Sequence, residues 1–135
     1  MLSIFAFAKA RRVFVTFPLG IAVVMLFMRS PSWFWQPSTL QVIWLFEALL
    51  FALIGLLGCA IAPMVPFSSA VAGVLGAFAG GVADVIIHPT IEGGFERNLF
   101  PLEIAFHTVA AIVGFGAVAL VWNVGARLIR KKIDA

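Results

Sequence analysis

The sequence predicts an all-α integral membrane four-helix bundle with short connectors, on three observations. Of 135 residues, 63% are hydrophobic and only 11% charged, where a soluble domain carries roughly a quarter charged residues. Mean hydropathy is +1.13. The apolar residues gather into four runs separated by short polar or Pro- and Gly-containing connectors, each near the ~20 residues that a bilayer core requires. Lipid is therefore the main solvent, and no segment is long enough for a separate soluble domain.

The first span is expected at about residues 10–28. Its apolar run, Val13 to Met28, is preceded by Lys9, Arg11 and Arg12 and followed by Arg29. That run covers only ~24 Å at 1.5 Å per residue, so the helix is expected to start nearer Ala8, with basic side chains snorkelling to the headgroups. Pro18 is expected to kink it. Arg11-Arg12-Val13-Phe14-Val15 also looks like a twin-arginine export signal. Three more spans follow, however, and no convincing small-x-small cleavage site follows Met28. The segment therefore reads as a retained, positively anchored helix.

Pro31, Trp33, Trp35 and Pro37 mark an interfacial loop with an aromatic belt. The second span, about 40–62, carries Glu47 and has Ser38 or Thr39 as its candidate N-cap. Ala62-Pro63-Met64-Val65-Pro66 forms an uncharged turn. The third span, about 67–88, is rich in Gly and Ala, pairs Gly76 with Gly80 in a GxxxG pattern, and is stopped by Pro89. A loop with Glu92, Gly93-Gly94, Glu96 and Arg97 leads to the fourth span, about 101–125. Trp122 lies near its far end, and Arg127, Arg130, Lys131 and Lys132 follow.

Charge distribution orients these spans. Lys9, Arg11 and Arg12 together with the four C-terminal basic residues lie on one face, against Arg29 and Arg97 on the other. The positive-inside rule then places both termini in the cytoplasm, most simply of an inner (plasma) membrane. The same rule explains the basic excess without nucleic acid, which is not expected as a partner. Cys59 stands alone in an apolar run, so it forms no internal disulfide and no Cys-based metal site; it reads as a small packing residue. Spans two and four each carry a carboxylate near their outer start, but no clear internal repeat is present.

Five ionisable residues, Glu47, Asp84, His88, Glu103 and His107, fall in the outer half of this topology. An uncompensated Asp at a helix centre costs about 2.5–3.5 kcal/mol on insertion scales, so embedded ionisable groups are functional candidates by default. Asp84 with His88, and Glu103 with His107, are i, i+4 pairs, each on one helix face. Antiparallel spans three and four set Asp84 level with His107 and His88 level with Glu103. The faces continue as Gly80, Ala77, Gly73 and Ala70 on span three, and as Ala111, Gly114, Val118 and Gly125 on span four, so both pairs are expected on the seam between these helices.

Four readings follow. In the structural one, the cross-helix pairs fix packing, and Glu103 and His88 favour nearby helix dipoles. In the second, the cluster is a proton, cation or substrate pathway opening outward, with Glu47 its central residue because it lies farthest from a helix end. In size and span number the chain resembles the four-helix small drug or cation exporters, which carry their essential Glu in the first helix rather than the second. In the third, Asp84, His88, Glu103 and His107 hold a divalent metal, or His88 and His107 ligate haem. The carboxylate-bundle signature is Glu-x-x-His, whereas the spacing here is i, i+4, and no metal or haem is expected. In the fourth, the chain is a non-catalytic accessory or assembly subunit whose Gly73, Gly76 and Gly80 face meets a membrane partner or a second copy. A Gly-rich phosphate loop, a nucleophile elbow and a spaced Ser-His-Asp set are all missing from the sequence, which therefore reads as non-enzymatic.

Overall fold

The computed structural model describes residues 14–29, 37–63, 65–88, 90–91, 95–96 and 100–134, and in it each of the four apolar runs forms a helix. These are α1 (Thr16–Met28), α2 (Pro37–Ile61), α3 (Pro66–Ile87) and α4 (Phe100–Ile133). Three segments within them, Gln41–Ile61, Pro66–Ile87 and Pro101–Ile133, are long and apolar enough to cross a membrane, with mean hydropathies of 2.4, 2.0 and 2.2. The chain is thus a helical, multi-pass membrane protein. The fourth helix, α1, is apolar but has 13 residues, about 20 Å at the α-helical rise. Lys9, Arg11 and Arg12 lie outside the described residues, as do Trp33, Trp35, Pro89, Glu92, Gly93-Gly94 and Arg97.

Helix ends depart from the sequence reading for local reasons. Pro18 does not sit mid-helix: α1 begins at Thr16, so the proline lies in the first turn, where its missing N–H removes no intrahelical bond. Pro37 opens α2, which places Ser38 and Thr39 inside the first turn rather than at the cap, because proline's fixed φ is already helical. Pro66 plays the same part in α3. The α3–α4 connection carries a two-residue antiparallel ladder, Thr90 opposite Glu96 and Ile91 opposite Phe95. Finally, α4 runs to Ile133, past the span end expected at Gly125, and finishes on Arg130, Lys131 and Lys132. Cations at a helix C-terminus complement its dipole, so the helix continues rather than fraying there.

The bundle is built inside out relative to a soluble one. Leu45, Phe46, Leu49 and Leu53 of α2 face outward, as do Val71, Leu75 and Phe78 of α3 and Ile112, Val113 and Leu120 of α4. The interior is filled by small residues such as Ala48, Ala70, Ala77, Ala110, Ala111 and Ala119, by Phe51 and Phe115, and by the buried polar side chains of Thr16, Glu47, Ser69, Asp84 and His107. Bilayer hydrocarbon is as apolar as leucine, so large apolar side chains gain nothing by turning inward, and close packing of small residues drives association instead.

Helix α1 packs chiefly on α3, α2 on α4, and α3 on α4. The glycine face of α3 is divided: Gly73 meets α4 on the expected α3–α4 seam, whereas Gly76 and Gly80 lie against α1. A Cβ on Gly76 would overlap the Phe17 carbonyl of α1, and one on Gly80 would lie 2.9 Å from the Ile21 backbone. Gly76 and Gly80 therefore form the seat of α1. Gly73 makes room for the Phe115 ring of α4, and that ring meets Phe51 of α2 at a centroid distance of 5.4 Å, tilted by 44°. Gly114 of α4, expected to face α3, instead admits the Ala48 carbonyl and Phe51 Cβ of α2. Lower in the bundle the Thr16 hydroxyl donates to the Ser69 carbonyl at 2.5 Å, tying α1 to α3.

Candidate functional site

Four of the five ionisable residues separate into a buried pair, Glu47 with His107, and a cluster nearer the helix ends that holds Asp84 and His88. Glu47 sits on α2 and His107 on α4, at matching depth, because close contact at Gly114 holds these two helices together one to two turns further on. His107 Nδ1 lies 2.7 Å from Glu47 Oε1 and 2.9 Å from Oε2. With the carboxylate ionised, Nδ1–H donates to both oxygens, a charge-assisted contact of the shorter and stronger kind. Side-chain exposure is 1% for His107 and 0% for Glu47. One proton, carried on nitrogen or on oxygen, is shared between two helices in the interior of a membrane protein. Phe106 stands edge-on to the His107 ring, with centroids 5.4 Å apart.

The outer cluster gathers where α1 and α3 end. Asp84 is buried one turn before the end of α3, and its backbone carbonyl accepts the His88 N–H at 2.8 Å. His88 Nδ1 lies 3.3 Å from Asp84 Oδ1, and Arg29 Nε lies 3.8 Å from the same oxygen. Arg29 Nη2–H donates to His88 Nε2 at 2.8 Å. Because a guanidinium has no acceptor, this bond assigns His88 the tautomer that accepts at Nε2 and carries its hydrogen on Nδ1, toward Asp84. Arg29, His88 and Asp84 thus form a short ordered series from a side chain 59% exposed to one 1% exposed.

This geometry corrects the expected pairings. His107 meets Glu47 of α2, not Asp84 of α3, and His88 meets Arg29 and Asp84. The i, i+4 relation of Asp84 to His88 holds as a contact. Glu103 lies in the first turn of α4, half-buried, as the sequence places it. Arg29 was read only as a flanking charge for orientation. Its signal was its place directly after the α1 apolar run, where a basic side chain can snorkel back along the bundle. Buried Thr16 and Ser69 carry no sequence signal beyond their polarity.

Among the described residues no group of three or more His, Cys, Asp or Glu side chains is placed as metal ligands would be. His107 Nδ1 is engaged by Glu47 and His88 Nε2 by Arg29. Compared with protein families, with curated proteins and with solved structures, the chain matches none.

Proposed function

We propose that this protein moves protons, or a small cation in exchange for protons, across a cytoplasmic membrane, with both termini inside and α1 completing a fourth crossing. The Glu47–His107 pair is the observation that carries the reading. A carboxylate and an imidazole sharing a proton, each contributed by a different helix, form a binding point that a change in helix packing can open or close. The Arg29–His88–Asp84 series stands at the outer end, where it can pass or repel cations. The test is proton flux in proteoliposomes with a trapped pH-sensitive dye. Wild-type protein is expected to dissipate an imposed gradient, and Glu47→Gln, which retains a hydrogen-bonding side chain, is expected to lose that activity while staying folded. Equal flux from empty vesicles and both proteins rejects the proposal.

A second reading, an accessory or assembly subunit of a larger membrane complex, is favoured by the nearly complete burial of the same pair. Interhelical glue needs no route to water. On that reading the chain expressed alone is unstable, and a partner is recovered by crosslinking through the outward Leu and Phe side chains.

A further inference from the structure

At the opposite end of the bundle from Arg29, the α2–α3 turn and the end of α4 enclose a cavity of about 240 Å³, lined by Pro63, Pro66, Trp122, Asn123, Arg127 and Arg130. Arg127 and Arg130 are three residues apart, so they share one face of α4. Both are exposed, and among the described residues neither has a carboxylate within ion-pair distance. Asp134, one turn beyond Arg130, is also exposed and bonds the Arg130 carbonyl through its backbone N–H at 3.0 Å. The facing wall is the start of α3, a 22-residue helix with no side-chain cap and no acidic residue in its first turn. The N–H groups of Phe67 and Ser68 there have no intrahelical carbonyl to bond, and the helix dipole adds a partial positive charge at the same point. Two guanidiniums and an amide side chain thus line one cavity, and the uncapped start of α3 adjoins it through Pro66.

We propose that this cavity binds a phosphate oxyanion, and that its resident ligand is the headgroup phosphate of an anionic phospholipid. Planar guanidiniums suit phosphate through paired N–H donors. Helix starts bind the same group through backbone N–H. Lipid is the favoured source because Trp122, an interfacial residue type, lies in the wall, and the cavity opens where an apolar span passes into a basic tail, the level of the headgroups. On the orientation proposed above this is the cytoplasmic leaflet, but the site stands or falls independently of transport.

The experiment uses the full chain in nanodiscs of phosphatidylcholine, with or without phosphatidylglycerol, and reads thermal unfolding, since a ligand that binds only the folded state raises its midpoint. Wild type is expected to melt higher with phosphatidylglycerol. Arg127→Gln/Arg130→Gln is expected to lose the shift, its lipid affinity falling roughly ten- to hundredfold on removal of charge-assisted bonds. Lys131→Gln/Lys132→Gln, which removes equal charge outside the cavity, is expected to keep it. Equal loss in both double variants means diffuse surface charge and overturns the site, as does the absence of any shift. If inorganic phosphate in phosphatidylcholine discs reproduces the shift with the same arginine dependence, the oxyanion site stands and the lipid assignment is overturned.

Discussion

His107 Nδ1 of α4 lies within 2.9 Å of both carboxylate oxygens of Glu47 on α2, joining two helices sixty residues apart in a setting from which water is excluded. Removing one partner leaves the other buried with its proton or charge uncompensated, which costs more than the contact itself contributes. His107→Ala is therefore expected to destabilise the bundle by about 2–3 kcal/mol. Glu47→Gln, still able to accept or donate a hydrogen bond, is expected to lose less. The apolar double variant Glu47→Leu/His107→Leu is expected to recover part of the His107→Ala loss. Reversible unfolding in mixed micelles measures all three. A double variant no more stable than His107→Ala would show that the pair is not the seat of the penalty.

Gly76 and Gly116 make opposite predictions from the same substitution. A Cβ at Gly76 meets the Phe17 main chain, while one at Gly116 meets nothing within 4 Å. Gly76→Ala is expected to push α1 off α3 and cost about 1–3 kcal/mol, the range of overpacking a close contact. Gly116→Ala is expected to be neutral or stabilising by up to ~1 kcal/mol through helix propensity. Thermal midpoints of the two variants under identical detergent conditions check the pair.

Arg29→Gln removes a side chain that is 59% exposed, so solvent already screens its contact with Asp84. The expected stability change is below about 1 kcal/mol. The variant separates the outer cluster from the buried pair: a loss as large as that of His107→Ala would mean that Arg29 compensates buried Asp84 far more than its exposure implies.

Cys59, 2% exposed in the interior of α2, is expected to resist membrane-permeant maleimides in the folded protein and to react fully in denaturant. In a Cys59→Ala background, cysteines introduced at Asp134 and Glu92 are expected to label from opposite sides of sealed vesicles. Labelling of both from one side would refute the proposed orientation.

The outline of the fold was legible because hydropathy and proline placement act locally: Pro66 and the apolar run after it define α3 almost to the residue. The identity of the buried ionisable residues was legible too, since Glu47, Asp84 and His107 stand out against apolar neighbours. Helix pairing was not. In water, an apolar stripe marks the face that turns inward, but Leu49 and Ala48 are equally at ease in lipid, and only side-chain size separates exposed Leu49 from buried Ala48. Gly76 and Gly80 correctly announced a close approach. They could not announce that α1 makes it, because a smooth helix surface accepts any neighbour. Level-matching along antiparallel spans then assigned His107 to Asp84, when a parallel helix, α2, held the carboxylate at the same depth.

The sixty positions between Glu47 and His107 also set an order of events at synthesis. Ribosomes extend chains at about 5–20 residues per second, so α2 emerges with its acid roughly 3–12 seconds before the histidine that will meet it has been made. During that interval the first helical hairpin is without the α4 half of its interior. It must keep the acid protonated, tilt it toward the headgroups, or shelter it against the insertion machinery. The nascent protein is thus most vulnerable to quality control after α2 and before α4, and truncations ending in the loop ahead of Phe100 should be degraded faster than chains that reach His107.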